Sequence, residues 1–274
     1  MKFATSVLAF GQEQWILRNI QNSYPHVDQI YVMYPIIPWS EYNPRARKLY
    51  PINTLDIDTI RSSKYMDKIT IIEGVWKNET EQRNDCVDKA IEDGINYLMI
   101  HDADEFYFNE DFKKIIKRIE EYPSFDTYYV KGIVFWKSFK YVVVSAVKYE
   151  LDGYYVGGKI SGMYEIVINL NNKVRHCNGR ETRYSNYFVF DQNDILMYHT
   201  SYVASNETIL KKISTFGHSN QIDIEKWYNE KWLNWTPETI NLHPISEGAH
   251  AFIGTELYDG KLPEVIEDLK NYIP

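Results

Sequence analysis

Ile95-Asn96-Tyr97-Leu98-Met99-Ile100-His101-Asp102-Ala103-Asp104-Glu105-Phe106 is the stretch that decides how this chain is read. Residues 95–101 are mostly apolar and have the length of a buried strand. That strand runs into two carboxylates one residue apart, Asp102 and Asp104. Like charges ~4 Å apart repel by about 4 kcal/mol at an effective dielectric of ~20, so the pair needs a positive partner. A divalent cation turns the repulsion into a ligand set, and carboxylate oxygens suit Mg²⁺ or Mn²⁺. The plain alternative is a solvated loop or a helix cap, although Asn109 fits the cap better.

Working outward, Ala4–Phe10 reads as a buried strand ended by Gly11. Trp15, Ile16 and Ile20 then recur at helical spacing, and Tyr24-Pro25 stops that helix. Gln29–Tyr34 is a second strand, and this β-α-β start implies a parallel sheet. Residues 35–51 form a loop rich in Pro, Arg and aromatic residues. Lys68–Glu73 reads as a strand and Glu79–Asp93 as a helix, capped by Asn78 or Thr80 and ended by Gly94. Asp111–Tyr122 is an amphipathic helix, followed by strands at 127–136 and 141–149. Residues 152–202 are mostly strands, clearest at 163–170, 187–190 and 195–202. Helices are expected at 206–216, 223–235 and 263–272. The expected division is a catalytic core over 1–204 and a helical extension over 205–274. An α/β sheet of this kind places ligands at the carboxyl ends of its parallel strands, where the Asp pair lies.

The 274 residues are 44% hydrophobic, enough for one large α/β domain or two small ones. The formal net charge of −8 argues against nucleic-acid binding. It also requires a metal, or local Lys and Arg, to hold any anionic substrate. Cys86 and Cys177 match no zinc pattern and make no disulfide framework, as for reduced thiols in the cytosol. The apolar run 3–10 is too short for a signal peptide or a membrane span, so a soluble, cytoplasmic protein without a transmembrane segment is expected. The 23 tyrosines suit sugar-stacking platforms, or follow from a genome rich in Ile, Asn, Lys and Tyr codons.

Gln82-Arg83-Asn84 on a helix, a strand, and then His101-Asp102-Ala103-Asp104-Glu105-Phe106 together resemble the GT-A glycosyltransferases, and the family 2-like enzymes most. The opening strand with Phe10-Gly11-Gln12-Glu13 fits the same pattern. The resemblance covers residues 1–125 well and continues loosely through Met197–Tyr202 and Lys211–His218. It implies a Rossmann-like mixed sheet flanked by helices and a nucleotide-sugar donor, a UDP- or GDP-sugar. It further implies a hydroxyl acceptor such as a glycan, and Mn²⁺ or Mg²⁺ as cofactor. In this pattern Asp104 is the direct metal ligand and the principal catalytic carboxylate. Asp102 lies nearer the ribose or binds the metal through water, and His199 completes the metal set. Phe10, Arg83, Asn84, Lys211, Lys212 and His218 would contact the donor. Each has a plainer reading as well. His199 can be a buried structural histidine, Arg83 and Asn84 can serve a surface salt bridge to Glu79 or Asp88, and the lysines can line a solvated helix face.

A catalytic base is the gap in the pattern. The family often carries it in a Glu-Asp pair, and none lies between the Asp pair and His199. Glu181, in Gly179-Arg180-Glu181-Thr182, is the candidate, with Glu165, Asp191 and Asp194 as further options, so inverting and retaining chemistry both stay open. Trp227, Tyr228, Trp232 and Trp235 either pack a helical lid or stack on an acceptor sugar. Gly157-Gly158 reads as a flexible joint. A metal-dependent phosphoesterase or nucleotidyltransferase competes with the transferase. A dehalogenase-type phosphatase, however, would carry its Asp pair after the first strand and not the fourth, and a nucleotidyltransferase would carry a Gly-rich basic loop after the first strand, which is missing. A non-catalytic carbohydrate-binding protein would not need the Asp pair, the histidine and the Arg-Asn helix start together.

Overall fold

Strand β1 (Phe3–Leu8) is buried along almost its whole length, as a strand inside a parallel sheet must be. The computed structural model describes residues 1–39, 44–145, 157–184, 186–216, 219–245 and 252–274. In it β1 lies between β2 (Gln29–Pro35) and β4 (Tyr97–Ile100), parallel to both, and β3 (Ile69–Gly74) extends the parallel half beyond β2. Helix α1 (Ile16–Ser23) makes the first crossover. Short helix α2 (Pro44–Leu49) interrupts the expected 35–51 loop, short helix α3 (Ile57–Arg61) follows it, and α4 (Glu79–Glu92) makes the next crossover. Asn78 caps α4 by accepting the Glu81 amide at 2.8 Å.

Beyond β4 the sheet turns antiparallel. A two-residue strand, β5 (Glu105–Phe106), precedes α5 (Asn109–Glu121). Then β6 (Thr127–Trp136) and β7 (Ser138–Val144) form a hairpin. Strand β8 (Gly162–Asn169) inserts between β4 and β6, antiparallel to both. Strands β9 (Tyr187–Val189) and β10 (Leu196–Tyr202) run parallel to β6, and β10 also pairs with β5. The expected α/β architecture, a Rossmann-like mixed sheet flanked by helices, is therefore present.

The C-terminal region is helical at first, with α6 (Asn206–Thr215) and α7 (Ile224–Trp227), which continues into a π-helical turn at Tyr228–Leu233. It then returns a strand, β11 (Gly254–Leu257), to the edge of the sheet beside β7. The helix expected at 263–272 is a series of turns with one 3₁₀ turn at Glu267–Leu269. Arg18 Nη1 reaches the Val265 carbonyl of this segment at 2.6 Å, and its guanidinium pairs with Asp268. Gly158 exchanges backbone hydrogen bonds with Ser145 at 2.9 and 3.1 Å, so it closes a β-bridge instead of serving as a joint. The part of the expected 141–149 strand beyond 145 lies outside the described residues. Trp227 and Trp232 pack edge-on against Trp136 at 6.2 and 5.4 Å, which makes the aromatic cluster a packing core for the helices. Among the described residues no helix is long and apolar enough to cross a membrane.

Two buried asparagines of α1 fix the loop after β4. Asn19 donates to the carbonyls of Asp102 at 2.8 Å and Glu105 at 3.2 Å. Asn22 pairs both ways with the backbone of Tyr107, at 2.8 and 2.9 Å. The loop backbone is thereby satisfied from the neighbouring helix, and its carboxylates are held at a defined place.

On α5, burial pushes the Asp111 carboxyl up to about 6, and Lys114, 3.8 Å away, offsets only part of this. The folded state thus keeps a proton that the unfolded chain releases above about pH 4, and stability falls as pH rises from there to about 6. Asp111→Asn is expected to stabilise the protein by on the order of 1–3 kcal/mol at pH 7.5 and to change little at pH 4. Urea denaturation of both proteins at the two pH values checks this.

Candidate active site

A cleft of about 310 Å³ opens at the carboxyl ends of the parallel strands. Phe10, Arg83, Asp102, Asp104, His199, Lys211 and Lys212 all line it. Residues from β1, α4, the β4–β5 loop, β10 and α6 thus converge, although up to about 200 positions separate them in the chain.

Asp104 is the hub. Its Oδ2 accepts Lys212 Nζ at 2.6 Å and Ser201 Oγ at 3.0 Å, and its Oδ1 lies 3.3 Å from His199 Nε2. Ser201 also meets His199 Nε2 at 2.7 Å and accepts from Lys212 at 2.9 Å. Burial alone would raise the Asp104 carboxyl, but Lys212 and His199 hold it well below the usual carboxylate range. It is therefore ionised at neutral pH, as a metal ligand must be. The 3.3 Å between Asp104 Oδ1 and His199 Nε2 is close to the ~3 Å expected between adjacent ligands of an octahedral cation with ~2.1 Å bonds. A hard oxygen and an imidazole nitrogen suit Mn²⁺.

Asp102 faces the other way. Arg83 Nη2 reaches both its oxygens at 3.0 Å, and Arg180 stands 3.7 Å away. Burial raises this carboxyl too, and the two guanidinium groups reverse the shift. Asp102, Asp104 and His199 therefore do not form one cluster, and among the described residues no three His, Cys, Asp or Glu side chains gather around a point. Behind them Glu105, 1% exposed, is clasped by both Nη atoms of Arg180, whose Nη2 also donates to the Ile100 carbonyl at 3.1 Å. Even so, burial leaves the Glu105 carboxyl raised.

Other candidates go elsewhere. Asn84 clamps the His176 backbone, with 2.9 Å bonds in both directions, and so lays the 174–181 loop on α4. Thr80 assists by accepting the Gly179 amide at 2.7 Å. Glu181 is exposed in the turn it shares with Asn178 and does not line the cleft, whereas its neighbour Arg180 turns onto the buried Glu105 behind it. Glu165 is buried against Tyr129 and Thr182, Asp194 pairs with Lys114, and Asp191 caps its own turn. His218 lies outside the described residues. Lys211 bonds Thr54 and sits between the rings of Phe10 and Tyr50, at 5.9 and 5.7 Å. Gly11, at φ +60°, leaves it room, since a Cβ there would lie 2.8 Å from Lys211 Nζ.

Sequence reasoning missed Arg180, Ser201 and Trp39. Ser201 was within reach, since it stands two residues from His199 on a strand and shares its face. Arg180 had a weaker signal, namely that a third carboxylate after a buried strand needs its own cation. Trp39 lines the cleft and donates to Gln82 Oε1 at 2.7 Å, a contact with no local signature.

Scans against family models and curated proteins found no match. Among solved structures, S. aureus TarS (1–349) overlaps with a TM-score of 0.44 at 13% identity, covering 85% of this chain and 71% of that one. The longer S. aureus TarS structure is spanned over 43% of its length. HddC from Yersinia pseudotuberculosis overlaps with a TM-score of 0.40 at 12% identity, covering 68% of this chain and 89% of that one.

Arg180→Met leaves Glu105 buried without its cation and Asp102 with only one. The expected cost is about 3–5 kcal/mol at pH 7. Adding Glu105→Gln should recover part of it, because the stranded charge is then gone. Chemical denaturation of the single and double variants measures both effects, and a loss below about 1 kcal/mol would show that the pair is not buried as described.

Proposed function

We propose that this protein is a divalent-cation-dependent glycosyltransferase of the GT-A type. It moves a sugar from a UDP- or GDP-sugar to a hydroxyl of a glycan or other acceptor. The observation that carries this reading is the charge balance of the cleft. Its lining holds three carboxylates, Glu79, Asp102 and Asp104, against three cations, Arg83, Lys211 and Lys212. Arg83 is shared between Glu79 and Asp102, and Lys212 is paired with Asp104. A diphosphate entering such a neutral site brings negative charge that these cations, two of them already paired, do not balance alone. A cation held by Asp104 and His199 answers that need.

Glycosyl transfer breaks the bond between the anomeric carbon and a diphosphate oxygen and forms one to the acceptor oxygen, so negative charge grows on the departing diphosphate. A bound Mn²⁺ or Mg²⁺ supplies Lewis-acid stabilisation of that charge. The protein's own groups support the same end of the donor. Arg83 lines the cleft 3.0 Å from Asp102 and keeps a further, buried Nη1 without a hydrogen-bond partner. Lys211 and Lys212 approach from α6 on the opposite wall. Towards β2, Pro35, Pro38 and Trp39 with Phe10 offer flat apolar faces suited to a nucleobase. The ionised Asp104 orients Lys212, Ser201 and His199 around the position where charge develops.

The test is incubation with Mn²⁺ and a panel of nucleotide sugars, following nucleotide release and thermal shift. The wild type is expected to release UDP or GDP, and Asp104→Asn to lower kcat/KM by about 100-fold or more. If no nucleotide sugar binds and Asp104→Asn changes nothing, the proposal is wrong. Release of inorganic phosphate from phosphomonoesters would assign the cleft to a phosphoesterase instead.

A further inference from the structure

Lys212 occupies the carboxylate that the proposed cation needs. Its Nζ lies 2.6 Å from Asp104 Oδ2 and 2.9 Å from Ser201 Oγ, and Ser201 in turn bonds the same Asp104 oxygen and His199 Nε2. The ammonium is thus tied into the hydrogen-bond network of both candidate ligands. A divalent ion between Asp104 Oδ1 and His199 would stand within a few ångströms of the Lys212 ammonium, beside a carboxylate that is only 6% exposed. The two cations repel strongly there.

The two lysines of α6 differ in what holds them. Lys211 is pinned by Thr54, with Glu13 3.8 Å away, between two aromatic rings. Among the described residues Lys212 is held only by Asp104 and Ser201, its side chain is 28% exposed, and it lines the cleft. Its four-carbon stem lets the ammonium swing without moving the helix. Among the described residues the cleft offers it no other carboxylate free of a partner, since Glu79 and Asp102 are both taken by Arg83. An incoming diphosphate is therefore the natural destination.

We infer that Lys212 is a built-in counterion of the cation site. It neutralises Asp104 when the cleft is empty and passes to the donor diphosphate when metal and nucleotide enter together. Metal alone then binds weakly because it must displace Lys212 with nothing to receive it. Nucleotide alone binds weakly because Lys212 is engaged on Asp104. Together each favours the other, and the coupling is reciprocal. The inference rests on the proposed cation site at Asp104 and adds an order to its filling, so that the cleft takes up a metal–nucleotide complex in preference to either component.

The test is direct binding, without turnover. Mn²⁺ affinity is read from the free-ion electron paramagnetic resonance signal, with and without saturating UDP or GDP, for wild type, Lys212→Met, Lys212→Arg and Asp104→Asn. Lys212→Met is expected to tighten Mn²⁺ alone by roughly 10-fold and to weaken the nucleoside diphosphate in the presence of Mn²⁺ by a similar factor. The coupling between the two then shrinks by the same factor, roughly 10-fold. Lys212→Arg, which keeps the charge, should behave like the wild type. If Lys212→Met leaves Mn²⁺ affinity unchanged or weaker while Asp104→Asn abolishes it, the counterion role is refuted and the cation site stands. If Lys212→Met tightens Mn²⁺ but leaves nucleotide affinity intact, the transfer to the diphosphate is refuted. If Asp104→Asn does not weaken Mn²⁺ binding, the cation assignment itself fails and the inference falls with it.

Discussion

Three carboxylates at the end of one buried strand, Asp102, Asp104 and Glu105, set the terms for everything around them. Each is at least partly withdrawn from water, and an unpaired buried carboxylate either protonates or destabilises the fold. The chain answers with three cations from three different places: Arg83 from α4, Arg180 from the loop laid on α4, and Lys212 from α6. The charges lock those elements to the end of β4. A buried ion pair adds little net stability compared with apolar packing, but it tolerates few alternative arrangements. That is why the helices meet where they do.

The scaffold that makes the pairing possible is built from ordinary interactions. Asn19 and Asn22 of α1 satisfy the loop backbone, so the carboxylates project from a fixed frame. Asn84 and Thr80 hold the 174–181 loop against α4 and thereby deliver Arg180. Trp136, Trp227 and Trp232 anchor the C-terminal helices on the sheet and fix the base of α6. None of these residues touches the cleft's reactive centre, yet each determines where a cleft side chain stands. The distances at Asp104 come from this frame more than from any local preference of the loop.

Much of this was legible in the sequence. The alternation of apolar strands and amphipathic helices marked the parallel half, and the Asp pair after β4 marked the cleft. Phe10, Arg83, His199, Lys211 and Lys212 do line that cleft. Less legible were the features that depend on remote contacts. The 263–272 segment has helical spacing, but it folds as turns held to α1 by Arg18, some 250 residues earlier, through Val265 and Asp268. Asn84 and Arg83 are adjacent and looked equivalent, but the helix turns one toward Asp102 and the other toward His176. Glu181 and Arg180 separate in the same way, and the turn buries the arginine.

By itself the sequence determined the class of fold and the placing of a charged site at a strand end. Hydrophobic period and local charge density are properties of neighbouring residues, and they act before the chain is folded. The tertiary structure alone decided which cation meets which carboxylate. It gave Arg83 to Asp102, Arg180 to Glu105 and Lys212 to Asp104, and brought His199 to Asp104 instead of to both aspartates. Coulomb attraction does not distinguish one arginine from another in the sequence. Only the packing of α4, α6 and the 174–181 loop against the sheet sets the few ångströms on which each pairing depends.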